Sequence, residues 1–262
     1  MLNHRLLEYL KSFILHCHSV ISHGKDSFLH EYQQNNGEHV EILETIRKRK
    51  SIRDFKPDPV PRELLEEILT LSVRAPSGVN KQPWEFAILS GPVLEKVKQE
   101  NVAHFHSGQK SHASFGSGID RVSVYRTRQV NLAIELFRLM GIAREDKEKR
   151  TQWTERGFYY FNAPVAIILL TDEALPLQRV LLDVGAVMQT ICLTALAYGL
   201  GTCIEGQGVM FPEVLREYGD IPKNKQIITA IAIGYPNWSF PANKIETPRE
   251  PIENITFWRG FD

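Results

Sequence analysis

The sequence predicts helices layered against a buried sheet. Three observations carry this. Two runs, "APVAIILLT" and "QIITAIAIGYP", are continuously apolar and rich in β-branched residues, as strands covered on both faces are. Around them lie segments whose apolar residues recur at helical spacing. The chain has 262 residues, 43% hydrophobic and 24% charged, an ordinary globular composition with room for a large core. On pattern alone, strands alternating with helices read as an α/β chain, with no internal repeat.

The elements follow in order. Leu6, Leu10, Phe13 and Cys17 lie at helical spacing and predict an amphipathic helix, while Arg5, Glu8, Lys11, His16 and His18 interrupt any signal-peptide core. His4, His16, His18, His23 and His30 follow no tight ligand spacing and read as exposed polar positions. "HEYQQNNGEH" is a polar linker, so a boundary near Gly37 divides a helical extension, 1–37, from a domain, 38–262. Val40, Leu43 and Ile46 predict a short helix running into "RKRKSIRDF". "PDPVPRELLEEILTLS" predicts a turn and a helix with Pro61 at its first position. "APSGVNKQPW" is a loop, "EFAILS" a strand, and "HFHSGQKSHASFGSG" a mobile loop. A charged helical region spans about Val122 to Arg156. "PLQRVLLDVGAVMQTICLTALAYGLG" predicts a long helix stopped by Gly199. That helix is apolar on most sides, which requires burial all round, at the centre of the core or in a subunit interface. The tail from Asn237 should run extended along a surface.

Several function classes lose ground. Lys plus Arg equals Asp plus Glu at 31 each, without the basic excess of a general nucleic-acid binder. Cys17, Cys192 and Cys203 are far apart and odd in number, which fits a reducing, cytoplasmic setting. No stretch approaches the ~20 apolar residues of a membrane span. No P-loop, G-x-S-x-G elbow, H-E-x-x-H or strand-borne G-x-G-x-x-G occurs, and "GLGTCIEGQG" has the wrong spacing and begins at a helix end.

Three short segments remain. In "RKRKSIRDF", Arg49, Ser51 and Arg53 occupy alternate positions, which face one way if the segment is extended. Two guanidinium groups flanking a hydroxyl form a phosphate grip, and the same run also reads as a solvated helix end. In "APSGVNKQPW", Ser77, Asn80 and Gln82 both donate and accept, as the edge of a planar polar ring requires, although such a loop can be a plain turn. In "CIEG", Gly206 permits close backbone approach, and Glu205 is a lone acid in an apolar context.

Together, "RKRKSIRDF", "APSGVNKQPWEF", "APVAIILL", "GLGTCIEG", "AIGYP" and a late "TPREP" resemble the nitroreductase family of FMN flavoproteins in order and spacing. The resemblance covers about Glu38 to Asp262. It implies an α+β sandwich with a central mixed sheet flanked by helices, built as an intertwined homodimer with FMN at the interface and the tail wrapped over the partner. By this resemblance Arg49, Lys50, Ser51 and Arg53 contact the phosphate and the pyrimidine side of the ring. Arg249 of "TPREP" adds a phosphate ligand. Ser77, Gly78, Asn80 and Gln82 come from the other subunit, and Ile204, Glu205 and Gly206 lie against the ring, with the Gly206 N–H near N5. Two positions depart from the pattern. Gly78 stands where serine is common, and Cys203 where proline is common, either close to the flavin or as a packed, inert thiol.

The activity implied is ping-pong hydride transfer from NADH or NADPH to a small-molecule oxidant: a nitroaromatic, a quinone or another conjugated acceptor. No side chain acts as nucleophile or general acid, and the basic residues stabilise reduced flavin electrostatically. The stretch Gly91–Asn162 would roof the pocket with Phe105, His106, Phe115, Tyr125, Arg128 and Arg156. Arg156 reads either as a partner for a substrate carboxylate or as a surface arginine. The alternatives are a specialised flavoprotein (dehalogenase, enone reductase or flavin-fragmenting type), a flavin-binding sensor without turnover, and, least, a nucleic-acid binder keyed on "RKRK". No metal, membrane or nucleic-acid partner is expected.

Overall fold

The computed structural model describes residues 42–113 and 123–261. The expected N-terminal helix, its histidines, the linker and Phe115 lie outside them. Helices α1 (Ile42–Lys48), α2 (Arg62–Ser72), α3 (Gly91–His106), α4 (Val124–Leu139), α5 (Lys147–Phe158), α6 (Leu177–Ala197) and α7 (Pro212–Tyr218) accompany strands β1 (Glu85–Ser90), β2 (Val165–Asp172), β3 (Gly201–Glu205) and β4 (Lys225–Gly234).

Strand β2 organises the molecule. Seven of its eight residues are buried, and it pairs with β1 on one side and β4 on the other, giving the sheet order β1-β2-β4-β3. Successive side chains point to opposite faces. Ala166, Ile168 and Leu170 enter a cluster with Leu94 and Val97 of α3, Phe158 of α5 and Leu215 of α7. Val165, Ile167 and Leu169 enter a second cluster with Leu64 and Ile68 of α2 and Val184, Val187 and Ile191 of α6. The result is a sheet between two helical layers, an α+β sandwich.

Every pair among the four strands is antiparallel, so the sheet is neither the parallel one that an α/β pattern suggests nor mixed. Helices cover both faces, so the strands are as apolar as parallel strands and hydropathy cannot tell the two apart. Among the described residues, parallel pairing is confined to one bridge, Ser51 to Thr202, which seats the basic run on the edge of β3.

The helix α2 begins at Arg62, with Pro61 just before it. "HFH" closes α3 instead of opening a loop, and the charged region is two helices, α4 and α5. Gly199, at φ +76°, ends α6 as expected. With 21 residues and mean hydropathy 1.8, α6 is long and apolar enough to cross a membrane by length and composition, contrary to the sequence expectation. Its apolar count includes many small residues, and one face packs on the sheet. The opposite face is open in this chain, with Leu182 81% exposed, so burial all round is not reached within one protomer. The tail is extended apart from two short turns, Pro241–Lys244 and Ile252–Asn254, and leaves Phe257 86% exposed. Arg128 on α4 holds it through Glu250 at 2.5 Å.

Candidate functional site

The basic run begins where α1 ends. Arg49 N donates to Thr45 O at 2.9 Å, and the chain then extends so that Ile52 N donates to Thr202 O at 2.9 Å. Ile52 is buried in the core, with Ser51 and Arg53 half-buried on either side of it, while Arg49 still closes α1. A polar clamp fixes this segment. Asn243 Oδ1 accepts from Arg53 N at 2.6 Å, and Asn243 Nδ2 donates to Asp54 O at 2.8 Å. The Asp54 carboxylate accepts from Arg156 Nη2 at 2.5 Å and from Asn237 Nδ2 at 2.7 Å. Arg156 also donates to Arg53 O at 2.9 Å and lies 4.4 Å over the Phe240 ring. It is therefore neither a free surface arginine nor available to a substrate carboxylate. Sequence reading missed Asp54, Asn237 and Asn243 as positioning residues.

Helix α1, the basic run and the tail enclose an open cleft of about 690 Å³, lined by Arg47, Lys48, Arg49, Lys50, Gln189, Leu196, Trp238, Glu246, Thr247 and Arg249. The fold thus brings Arg249 beside Arg49 and Lys50 from the far end of the chain. Lys48 is paired with Glu44, and Lys50 Nζ donates to Asn243 O at 3.3 Å with Glu246 at 4.0 Å. Arg249 Nη1 donates to Thr247 O at 2.8 Å. Among the described residues, Arg47 and Arg49 have no carboxylate partner. The cleft therefore carries uncompensated positive charge. Ser51 and Arg53 are absent from its lining and sit further along β3, beside Cys203. Burial lowers the Arg53 pKa from its ordinary value, with the Cys203 thiol acting the other way. The Cys203 thiol is pushed up to about 12, chiefly by burial, which makes it a packed, inert thiol.

The loop with Ser77, Gly78, Asn80 and Gln82 lies elsewhere. Val79, Asn80 and Gln82 have φ of 48°, 57° and 50°, a strained run on an exposed surface. Gly78 N donates to Asp183 Oδ1 at 3.1 Å, Gln82 N to Ser77 Oγ at 2.9 Å, and Gln82 Nε2 to Asn80 O at 3.3 Å. The loop is thus anchored to α6 near Asp183, whereas the cleft touches α6 at Gln189 and Leu196, roughly 10–20 Å further along at 1.5 Å per residue. Within one protomer the structure does not bring this loop to the basic cleft.

At the end of β3, Ile204 is half-buried and Gly206 is exposed, with open space where a side chain would be. The Glu205 side chain turns inward. It is 8% exposed, and Oε2 accepts from Gly208 N at 2.9 Å. Burial pushes its pKa up to about 8, against the opposing pull of the Gly208 and Gln207 amides. Asn101 of α3 and Tyr160 after α5 complete the cluster. Both donate to Gly208 O, at 3.3 Å and 2.7 Å. Tyr160, Phe161 and Asn162 have φ of 51°, 54° and 64°, three consecutive left-handed residues. No sequence signal marked Asn101, Tyr160 or Gly208.

The model of the nitroreductase family matches residues 46–235. The chain belongs to the nitroreductase family. A 4-nitrobenzoate reductase of Nocardioides sp. strain LMS-CY is 30% identical over 223 residues, 83% of this chain and 90% of the relative. A 4-nitrobenzoate reductase of Pseudomonas putida is 28% identical over 218 residues, 83% of this chain and 95% of the relative. Among solved structures, the FMN and NADPH-dependent nitroreductase NfnB of Sphigopyxis sp. strain HMH superposes with a TM-score of 0.79 at 26% identity, over 85% of this chain and 100% of that one. The match includes the basic run, the loop and β3, and stops just before Trp238 and the tail.

Proposed function

We propose that this nitroreductase-family chain is an FMN-dependent oxidoreductase that passes electrons from NADH or NADPH to a nitroaromatic, quinone or similar conjugated acceptor. The observation that carries the reading is the meeting of Arg49, Lys50 and Arg249 on one cleft with spare positive charge. That donor set fits a phosphate dianion, which guanidinium groups bind with paired N–H donors. Bound there, the flavin supplies the two-electron chemistry, with reductant and acceptor taking turns.

The chain's own residues bind and orient. Arg49, Lys50 and Arg249 hold the phosphate, and Ser51 and Arg53 continue that line along β3 toward the ring's pyrimidine side. Ile204 and Gly206 present backbone to the ring, with the Gly206 N–H toward N5. Glu205 contributes from behind, since its carboxyl points into the core. The loop with Ser77, Gly78, Asn80 and Gln82 serves the site of a second copy, which explains its distance from the cleft on its own chain. The open face of α6 and the exposed tail support a homodimer as the working unit. We take residues 38–262 as that unit and 1–37 as an extension. Two buried free thiols, Cys192 and Cys203, suit a reducing, cytoplasmic setting.

The test is the absorption spectrum of the purified protein. Flavin bands that bleach with NADH or NADPH without air, and return with 4-nitrobenzoate, are the expected result. A colourless protein that FMN cannot load refutes the reading.

A further inference from the structure

Two buried acceptors stand on one glycine. Glu205 Oε1 and Asn101 Oδ1 are both buried without a hydrogen-bond partner. Each side chain uses its other polar atom on Gly208: Glu205 Oε2 on the N–H, Asn101 Nδ2 on the carbonyl. The packing leaves no slack, since a Cβ on Gly208 would lie 2.5 Å from Glu205 Oε1 and 2.4 Å from Tyr160 Cε1. Nor can the Asn101 amide be turned over, because Oδ1 would then face the Gly208 carbonyl, acceptor against acceptor. Two orphaned acceptors on the same residue are costly in a dry interior. A proton on Glu205 Oε1 turns one of these two acceptors into a donor.

We propose that Glu205 is carried as a neutral carboxylic acid whose Oε1–H donates to Asn101 Oδ1, and that this proton makes it a positioning residue for the turn that presents Gly206. The surroundings agree. No cation pairs with Glu205 among the described residues. Tyr160 faces it from the turn after α5, its hydroxyl donating to Gly208 O with the Asn101 side chain also in reach. Cys203 lies on the same strand with Arg53 beyond it. On α3, Lys98 is engaged by Glu95 and Ala163 O, Glu100 by Lys96, and His104 lies edge-on to Phe211. From β4 the Thr229 hydroxyl donates to Glu205 O, and from the turn after β3 the Gly208 and Gln207 amides face the carboxyl. Burial alone shifts the acid upward, so the proton stays through neutral pH. When it leaves, the bond to Asn101 is lost and an anion forms directly behind Gly206.

The first test is infrared spectroscopy of the full chain labelled with carboxyl-¹³C glutamate, about two pH units below and above 8. A protonated-glutamate C=O band is expected at the lower pH only, absent in Glu205→Gln and moved to higher frequency in Asn101→Ala. Wild type showing only carboxylate bands at the lower pH overturns the proposal, with a trapped water as the bridging group, and needs no variant to fold. The consequence for ligand binding rests on the flavin reading. The FMN dissociation constant should rise above pH 8 in wild type, by up to about tenfold per pH unit if only the neutral acid binds. It should follow a flatter curve in Glu205→Gln. Identical curves overturn the coupling. A band that persists while no FMN binds at any pH refutes the flavin reading and leaves the proton assignment standing.

Discussion

The Glu205→Gln substitution has a calculable effect on stability that no flavin enters. Glu205 titrates near 4.5 when unfolded and at about 8 when folded. Below pH 4.5 the acid is neutral in both states, and ionisation costs nothing. Between 4.5 and 8 only the unfolded chain gives up the proton, so stability falls by about 1.4 kcal/mol per pH unit. Above 8 both states are ionised and the loss stops growing. The whole window amounts to about 5 kcal/mol, a large part of the 5–15 kcal/mol that holds a typical domain together. Glutamine keeps the shape and the Gly208 contact without a titrating proton, and its N–H₂ supplies the donor that Asn101 Oδ1 lacks. Denaturant unfolding of both proteins at several pH values, at fixed protein concentration, measures the difference. The variant should gain on wild type steadily from pH 5 to pH 8. A constant gap across that range would show that Glu205 ionises without penalty and would refute the reasoning.

Other outcomes follow from the same geometry. Arg249→Ala and Arg49→Ala should each weaken FMN binding by roughly 10- to 100-fold, the worth of one charge-assisted contact, with a shallower salt dependence in a fluorescence titration. Asp54→Ala strands the Arg156 guanidinium and frees Asn237, so about 3–5 kcal/mol of unfolding free energy should be lost; a loss below 1 kcal/mol would show that the clamp is decorative. Gly208→Ala should destabilise the protein sharply, because the new methyl meets Tyr160 and Glu205 at 2.4 Å and 2.5 Å, whereas Gly206→Ala meets open space and should leave thermal stability unchanged while lowering FMN affinity. Gly78→Ser should fold normally, its Cβ lying 3.9 Å from Asp183 Oδ2.

What the sequence disclosed was local. The alternation of Ser51 and Arg53 about buried Ile52 is visible because it needs only an extended backbone, whereas Arg49 still closes α1. Strands β2 and β4 are visible because burial on both faces leaves an uninterrupted apolar run. That same burial hid their direction. Gly91 and Pro92 look like breakers and concealed α3, where the proline occupies the first turn at no cost. The glycines around β3 concealed a strand pressed tightly against neighbours. The Glu205 cluster was out of reach because Asn101, Tyr160 and Gly208 come from three separate stretches. Arg156 misled for a similar reason, since Asp54 lies about a hundred residues upstream of it.

The order of the strands also governs how the chain is made. No hairpin joins any two neighbours in the sheet. β1 waits for β2 across α3, α4 and α5, and β2 waits for β4 across α6, β3 and α7. At 5–20 residues per second, synthesis of the stretch from Asp172 to Lys225 occupies roughly 3–10 s. During that interval the most apolar strand of the molecule has a partner on one edge and none on the other. Pairings between distant segments are slow to form and leave intermediates open to aggregation. Folding therefore commits late, when Gly234 clears the ribosome. Any truncation that removes Ile233 shortens the second ladder of the central strand.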